Sequence, residues 1–403
     1  MYNLTGRNIV LGVTGSIAAY KAADLASKLT QAECSVDVIM TPEAAKFIAP
    51  LTFSSVTGRP AYASMWDAAS AVTEAHVALS RRADLLVIAP ATATTLARFA
   101  AGSAEDLVSL TALATRAPIL ICPAMDPNMF EHPAVQANVE TLKARGVYFV
   151  GPDEGRLASG QMGVGRLSEV ETVMGAIRFV LGRGGDLAAK KIVVTAGGTR
   201  EQIDPVRYVG NYSSGKMGFA VAAAARDRGA DSVLITAPTE LADPYAVDVI
   251  RVKSAMEMRD AVAEQCARAD ALVMTAAVAD YQPAEAIGEK IKREGRDSLT
   301  ISLVRTPDIL KDLSADEGLI KVGFAAESND LLENARKKLK SKGVDLIVAN
   351  DITAEGSGFG ADTNQVTLLD KSGAEEELPL IGKYEVASRI LDRVVSLIET
   401  RQR

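Results

Sequence analysis

The strongest constraint on the fold of this chain is a pattern that occurs twice. Asn8–Val13 (NIVLGV) is a short β-branched run, followed by a TGS turn and by IAAYKAADLASKLTQ, where apolar residues recur at helical spacing. Lys191–Thr195 (KIVVT) is a second such run, followed by AGGTRE. A strand that is apolar without alternation is covered on both faces, and a glycine turn leading into a helix completes the unit from which parallel sheets are built. Similar runs at Ser35–Met40, Leu85–Ala89, Ile119–Cys122, Ser232–Thr236, Ala271–Thr275, Leu319–Ala325 and Asp345–Val348 predict further strands. Between them lie alanine-rich helical stretches such as 219–229, which ends on a glycine suited to a helix C-terminus. The pattern predicts two doubly wound α/β domains, the first flavodoxin- or Rossmann-like and the second Rossmann-like. Ligands are expected at the carboxyl ends of the strands, near a topological switch point.

The 403 residues are enough for two such domains, and composition helps to place the division. Four lysines precede position 190 and fourteen follow from there, while LGRGGDLAAKK (181–191) is a Gly-rich polar stretch between periodic regions. The expected domains are therefore 1–189 and 190–403. A hydrophobic content of 48% excludes disorder over most of the length. The mild net charge of −7 and an aromatic content of 5% argue against a nucleic-acid partner, which wants basic surfaces and stacking platforms. Three scattered cysteines and two histidines build neither a disulfide framework nor a zinc site. There is no basic leader ahead of an apolar segment and no apolar run of membrane-spanning length, so a soluble cytoplasmic protein without a membrane partner is expected.

Several loops then carry more chemistry than a plain connection needs. Gly12-Val-Thr-Gly15-Ser16-Ile17 lies at a strand-to-helix turn, where exposed backbone N–H groups bind an anion. It is not the dinucleotide fingerprint, and the second strand ends at Thr41 instead of an acid for a ribose, so a mononucleotide such as FMN fits better than NAD. Thr92-Ala93-Thr94-Thr95 is a second donor-rich loop after a strand; a capped helix start would account for one of those threonines. His76 lies just ahead of Arg81 and Arg82. Cys122-Pro-Ala124-Met125-Asp126-Pro-Asn128-Met129 leaves another strand, and Gly151–Arg166 is so rich in glycine that it reads as a mobile flap. In the second half, the glycines at 197–198 and the turn Ser213–Gly218 offer donors to phosphates, and Lys290, Lys292, Lys338 and Lys342 offer charge. Asp280, at a strand exit, suits either a Mg²⁺ carrying phosphates or a helix cap.

These motifs, in this order, carry a specific resemblance. The first half, with GSIAAYK, AHVAL, PATATT, the PxMxxxM segment and the glycine flap, resembles flavin-dependent phosphopantothenoylcysteine decarboxylases. The second half, with TAGGTR (195–200), DPVRY (204–208), NYSSGKMG (211–218), AAVADY (276–281), EKIK (289–292), GFAAE (323–327) and AND (349–351), resembles phosphopantothenate–cysteine ligases. Together they cover essentially the whole chain and resemble the bacterial bifunctional enzymes that make phosphopantetheine for coenzyme A.

The resemblance implies two reactions. In the ligase half, phosphopantothenate is activated by CTP to an acyl-cytidylate with release of pyrophosphate, and the amine of cysteine then attacks. Nucleotide contacts are implied at Met274, Thr275, Ala276, Asp280, Lys290, Pro307, Asp308, Ile309, Leu310, Phe324, Lys338 and Lys342, with a substrate contact at Arg207. Asn211 would stabilise the activated acyl group, Lys290 would assist the cysteine step, and Asp280 would serve Mg²⁺. In the decarboxylase half, the thiol end of the cysteine moiety is oxidised to a thioaldehyde, which acts as the electron sink for loss of CO₂. FMN contacts are implied at Gly15, Ser16, Ile17, Thr41, Thr92, Ala93, Thr94, Thr95 and Ala124. His76 matches the base, Arg81 the contact to the substrate phosphate and Asn128 a further substrate contact. The sequence departs from the family twice: Asp126 stands where much of the family has asparagine, and Ser159 where it has a proton-donating cysteine. An Asp126–Ser159 pair for proton delivery is one reading of the departures. A ligase whose first half only binds flavin and holds the oligomer together is the other. The family's flavin sites lie at subunit contacts, so a homo-oligomer built by the first domain is expected, with the ligase domains in pairs.

Overall fold

A computed structural model describes the chain apart from residues 1–3, 66–74, 293–297, 328–330, 352–357, 359 and 403. Trp66 and the side chains of Glu327 and Asp351 lie outside the described residues. The chain forms two units, Met1–Gly182 and Arg183–Arg403. The division falls near the start of the polar stretch, ahead of the expected 189/190, because most of that stretch belongs to the second unit: Leu187 is fully buried in its core and Asp186 pairs with Arg228.

The first unit is built on Asn8–Val13 (β1), Ser35–Met40 (β2), Ala61–Tyr62 (β3), Leu85–Ala91 (β4), Ile119–Pro123 (β5) and Tyr148–Phe149 (β6). They lie parallel in the order β3-β2-β1-β4-β5-β6. Every residue of β4 is buried, as a strand covered on both faces requires, and each buried Leu or Ile contributes about 1.5–3 kcal/mol. The order reverses between β1 and β4, so their carboxyl ends open a crevice. A separate antiparallel hairpin, Asp153–Arg156 (β7) and Met162–Arg166 (β8), follows.

In the second unit Lys191–Ala196 (β9) is flanked by Asp231–Thr236 (β12), Asp248–Arg251 (β13), Ala271–Met274 (β14), Ile320–Glu327 (β17) and Leu346–Asp351 (β18). Their order, β13-β12-β9-β14-β17-β18, repeats the first unit's reversal, now between β9 and β14. Thr363–Asp370 (β19) and Glu375–Gly382 (β20) extend the sheet antiparallel, with the final helix Lys383–Gln402 packed on them and on the helix Lys216–Arg226. Two small ribbons complete the unit: Arg200–Asp204 (β10) with Arg207–Gly210 (β11), and Tyr281–Pro283 (β15) with Leu303–Arg305 (β16). No helix among the described residues is long and apolar enough to cross a membrane.

Candidate active sites

The two donor loops of the first unit meet at its switch point. Thr14, following β1, donates through Oγ1 to Pro90 O at 2.7 Å and accepts from Thr92 N–H at 3.1 Å. One threonine thus ties the turn Gly15–Ile17 to the loop after β4. Thr92 also caps the helix Ala93–Ala101, accepting from Thr95 N–H, and its hydroxyl lies 3.0 Å from that of Thr95. Thr94 remains exposed. Thr41 is buried and its hydroxyl accepts from Ala44 N–H, so it shapes the turn after β2.

A cavity of 330 Å³ opens beside this crevice. Its walls are Ser16, Ile17 and Lys21 from the glycine turn and its helix, Ala124, Met125 and Asp126 from the loop after β5, and Arg156–Ser159 with Gly165–Leu167 from the hairpin. Five of the expected site residues, Ser16, Ile17, Ala124, Asp126 and Ser159, are therefore brought together. Asp126 also accepts from Asn128 N–H at 2.9 Å and caps the short helix Pro127–Phe130. Ser159 sits in the turn of the hairpin, closed by Leu157 N–H to Gln161 O and Gly160 N–H to Leu157 O.

The hairpin departs from the expected loose flap. Met125 N–H donates to Gly165 O at 3.0 Å, so β8 lies directly on the loop after β5. A Cβ on Gly165 would fall 2.2 Å from Met125 O, and one on Gly163 would fall 2.7 Å from the Pro127 ring. These two glycines serve close approach. Gly165→Ala is expected to lift the hairpin and to slow the decarboxylation that the resemblance implies on the order of tenfold to a hundredfold, because reacting groups displaced by an ångström lose that much. Faster proteolytic cleavage within 156–162, with ligase activity intact, would accompany it; parent-like decarboxylation would contradict the packing role.

His76 and Arg81 do not line this cavity. They share the helix Ala75–Arg82, whose far end is fixed by Arg82. That guanidinium lies 2.5 Å from buried Asp37 as an ion pair without hydrogen-bond geometry, while Arg59 donates to the other carboxylate oxygen at 2.8 Å. Asp37 went unremarked as a functional element in the sequence because it sits mid-strand; its task is to hold this helix. No cysteine replaces the missing flap thiol. Burial pushes Cys34 up to about 11 and Cys266 up to about 12, and raises fully buried Cys122 further still.

In the second unit the loops after β9 and β14 are cross-linked in the same way. Thr275 donates to Thr195 O at 2.6 Å, Ala276 N–H donates to Thr195 Oγ1 at 3.2 Å, and Ala279 N–H donates to Thr199 Oγ1 at 2.9 Å. Asn211 joins them through Nδ2 to Val278 O at 3.1 Å. Met274 pairs in register with Gly323, next to half-buried Phe324, and a Cβ on Gly323 would lie 3.5 Å from Leu310. Asp308 caps the helix Ile309–Asp312, which Pro307 precedes, and lies 2.5 Å from Lys342. Met274, Asp308–Leu310 and Lys342 thus form one group at the strand ends, whereas Phe324 packs against the core on the other face of the sheet, and Lys338 lies one helical turn before Lys342. Asp280 is exposed and its carbonyl accepts from Thr306 N–H, which ties the β14 exit to the segment leading into Pro307.

Two cations have tasks that the sequence hid. Arg207 pairs with Asp204 and donates to Ile291 O at 3.0 Å, while Ile291 N–H donates to Asp204 at 3.2 Å. The Arg207 guanidinium holds the Asp204 carboxyl well below the usual range, so this clamp stays charged and fixes the residue that follows Lys290. Lys216, in the NYSSGKMG turn, donates to Gly360 O at 2.8 Å and to Asp362 at 2.7 Å instead of facing the glycine loop. Lys290 has no carboxylate partner among the described residues.

Comparison with known proteins agrees with this division. The Flavoprotein family matches residues 1–182, and the family described as DNA/pantothenate metabolism flavoprotein C-terminal domain matches residues 187–398. The coenzyme A biosynthesis bifunctional protein CoaBC of Bacillus subtilis (strain 168) is 44% identical over 398 residues, covering 98% of each chain. That of Vibrio vulnificus (strain YJ016) is 43% identical over 402 residues, covering 99% of this chain and all of its own. A solved C-terminal domain of a CoaBC protein is 40% identical over 54% of this chain and 99% of its own, with a TM-score of 0.47. With both families in tandem and end-to-end relatives of one name, the chain belongs to the bifunctional CoaBC enzymes of coenzyme A biosynthesis, which join a flavoprotein decarboxylase to a ligase.

Proposed function

We propose that the two activities divide along the two units, the first (1–182) decarboxylating phosphopantothenoylcysteine with FMN and the second (183–403) making it from phosphopantothenate, cysteine and CTP. The observation that carries the first assignment is the cavity that joins Ser16 and Ile17 to Asp126 and Ser159. The site suits a flavin mononucleotide. The helix Ala19–Gln31 begins at Ala18 without a side-chain cap, so its positive end would favour a phosphate, and Ile17, 58% exposed beside it, offers an apolar surface to a planar ring. Gly15, Thr41, Thr92–Thr95 and Ala124 complete the binding shell. When bound, the cofactor supplies a two-electron acceptor that returns its electrons to the product.

The chain's own residues move the protons. His76 takes the proton from the thiol end, and Asp126 with Ser159 delivers one to the enethiol left after CO₂ departs. His76 and Arg81 lie off the cavity of their own chain, which supports a homo-oligomer in which a second copy brings them to it. Asn128 follows Asp126 into the same loop as a substrate contact. Purified protein is expected to show a flavin spectrum or to take up added FMN without a covalent link. Absence of both would remove the cofactor assignment.

In the second unit the group Met274–Ala276, Pro307–Leu310, Phe324, Lys338 and Lys342 holds CTP. Exposed Asp280 holds Mg²⁺ together with the triphosphate, since this ion is commonly bound by one or two carboxylates plus substrate phosphates. Asn211, oriented by Val278, stabilises the acyl-cytidylate, and Lys290 supplies charge at the acyl carbon. Arg207 contributes to substrate binding through the segment it clamps. We take these ligase units to work in pairs.

A further inference from the structure

The cavity of the first unit carries three cations, and two of them are already neutralised. Glu169, just beyond β8, lies 3.2 Å from Lys21 through one carboxylate oxygen and pairs with Arg166 through the other. The hydrogen bond from Lys21 is the largest influence holding the Glu169 carboxyl below its usual range, so this carboxylate stays charged between its two partners. The third cation, Arg156, has no carboxylate partner among the described residues, and it is one of the residues that line the cavity. It is the last residue of β7, opposite Met162, immediately before the turn that carries Ser159. An arginine that lines a cavity without a carboxylate partner among the described residues is a ready contact for an anion.

On the reading of this unit as the decarboxylase, the substrate brings two anionic groups. Its carboxylate leaves as neutral CO₂, so a cation paired tightly with that group would stabilise the ground state more than the transition state and slow the reaction. The phosphate keeps its charge throughout, and a cation there strengthens binding equally at every stage. We propose that Arg156 holds the phosphate of the substrate, and that Glu169 keeps Lys21 and Arg166 from competing for it. Arg81, which the resemblance gives this task, would reach the cavity only from a second copy, whereas Arg156 lies on the cavity wall of its own chain.

The test compares two substrates on the flavin-loaded full chain: phosphopantothenoylcysteine, and pantothenoylcysteine without the phosphate. In Arg156→Gln the KM for the phosphorylated substrate is expected to rise about tenfold or more at unchanged kcat, as loss of a charge-assisted contact made equally in ground and transition states requires. The phosphate-free substrate should be unaffected within about twofold, flavin content should be unchanged, and Arg156→Lys should restore part of the discrimination. Equal losses on both substrates would overturn the proposal, as would release of flavin, which would assign Arg156 to the cofactor's phosphate. Loss of discrimination in Arg81→Gln but not in Arg156→Gln would do the same. Calorimetric titration of phosphopantetheine, the product that keeps the phosphate, scores the contact without turnover. If the parent releases no CO₂ from either substrate, the decarboxylase reading fails, while the affinity ratio of parent to Arg156→Gln still decides for or against the phosphate contact.

Discussion

Decarboxylation by His76→Asn should be slower by roughly 10²- to 10⁴-fold, with ligation untouched. A positioned base is worth that much because it takes the proton in the transition state, where water is poorly placed to do so. The substitution isolates chemistry from folding. The helix Ala75–Arg82 is held at its other end by the Arg82–Asp37 ion pair and by buried Leu79, neither of which involves His76. His76 is only half-buried, so asparagine leaves no cavity in the core. Stopped assays that follow CO₂ and the amide separately distinguish the outcomes. A parent-like CO₂ rate would remove His76 from the site, and a parallel loss of amide formation would mean that the variant had unfolded more than one unit.

Lys290→Gln is expected to lower amide formation by on the order of 10²–10³, and to weaken CTP binding far less. The backbone argument comes first. Ile291 is clamped on both sides, its N–H by Asp204 and its carbonyl by Arg207, so the preceding residue is held in place although it is exposed. A fixed ammonium contributes most where charge develops during attack on the acyl carbon; on the proposed assignment the resting triphosphate would have Lys338 and Lys342 as well. Quenched time courses should show pyrophosphate release outlasting the loss of amide. Parent-like amide formation would exclude Lys290, and better turnover with ATP than with CTP would undo the nucleotide assignment.

The parallel sheets were legible because their strands carry their own signature. NIVLGV and KIVVT are apolar on both faces and each leads into a glycine turn, and both became the first strand of a sheet that reverses beside it. The hairpins were not legible. In β7 the sequence DEGR alternates half-buried with exposed positions and holds a single glycine between charges, which reads equally well as a loop. Glycine itself was the main source of misreading. Gly160 serves a positive φ of 86°, whereas Gly163 and Gly165 serve close contact with Pro127 and Met125, and the three look alike in a sequence. Long-range pairing hid the rest. Lys216 sits in a motif that suggests phosphate, but its partners are Gly360 and Asp362, and Leu187 sits in a polar stretch but fills a core. The β19–β20 hairpin had a visible signal in Ser372-Gly373 between two alternating runs, with φ of 87° at the glycine.

Whether Asp126 and Ser159 sustain the second reaction is decided by the products of the whole chain. Flavin-loaded protein is incubated with phosphopantothenate, cysteine, CTP and Mg²⁺, and the mixture is followed by mass spectrometry together with CO₂ release. One phosphopantetheine is expected for each CMP, pyrophosphate and CO₂, with phosphopantothenoylcysteine appearing only in passing. Accumulation of phosphopantothenoylcysteine without CO₂ would contradict this division of labour and leave the first unit a flavin-binding module attached to a ligase.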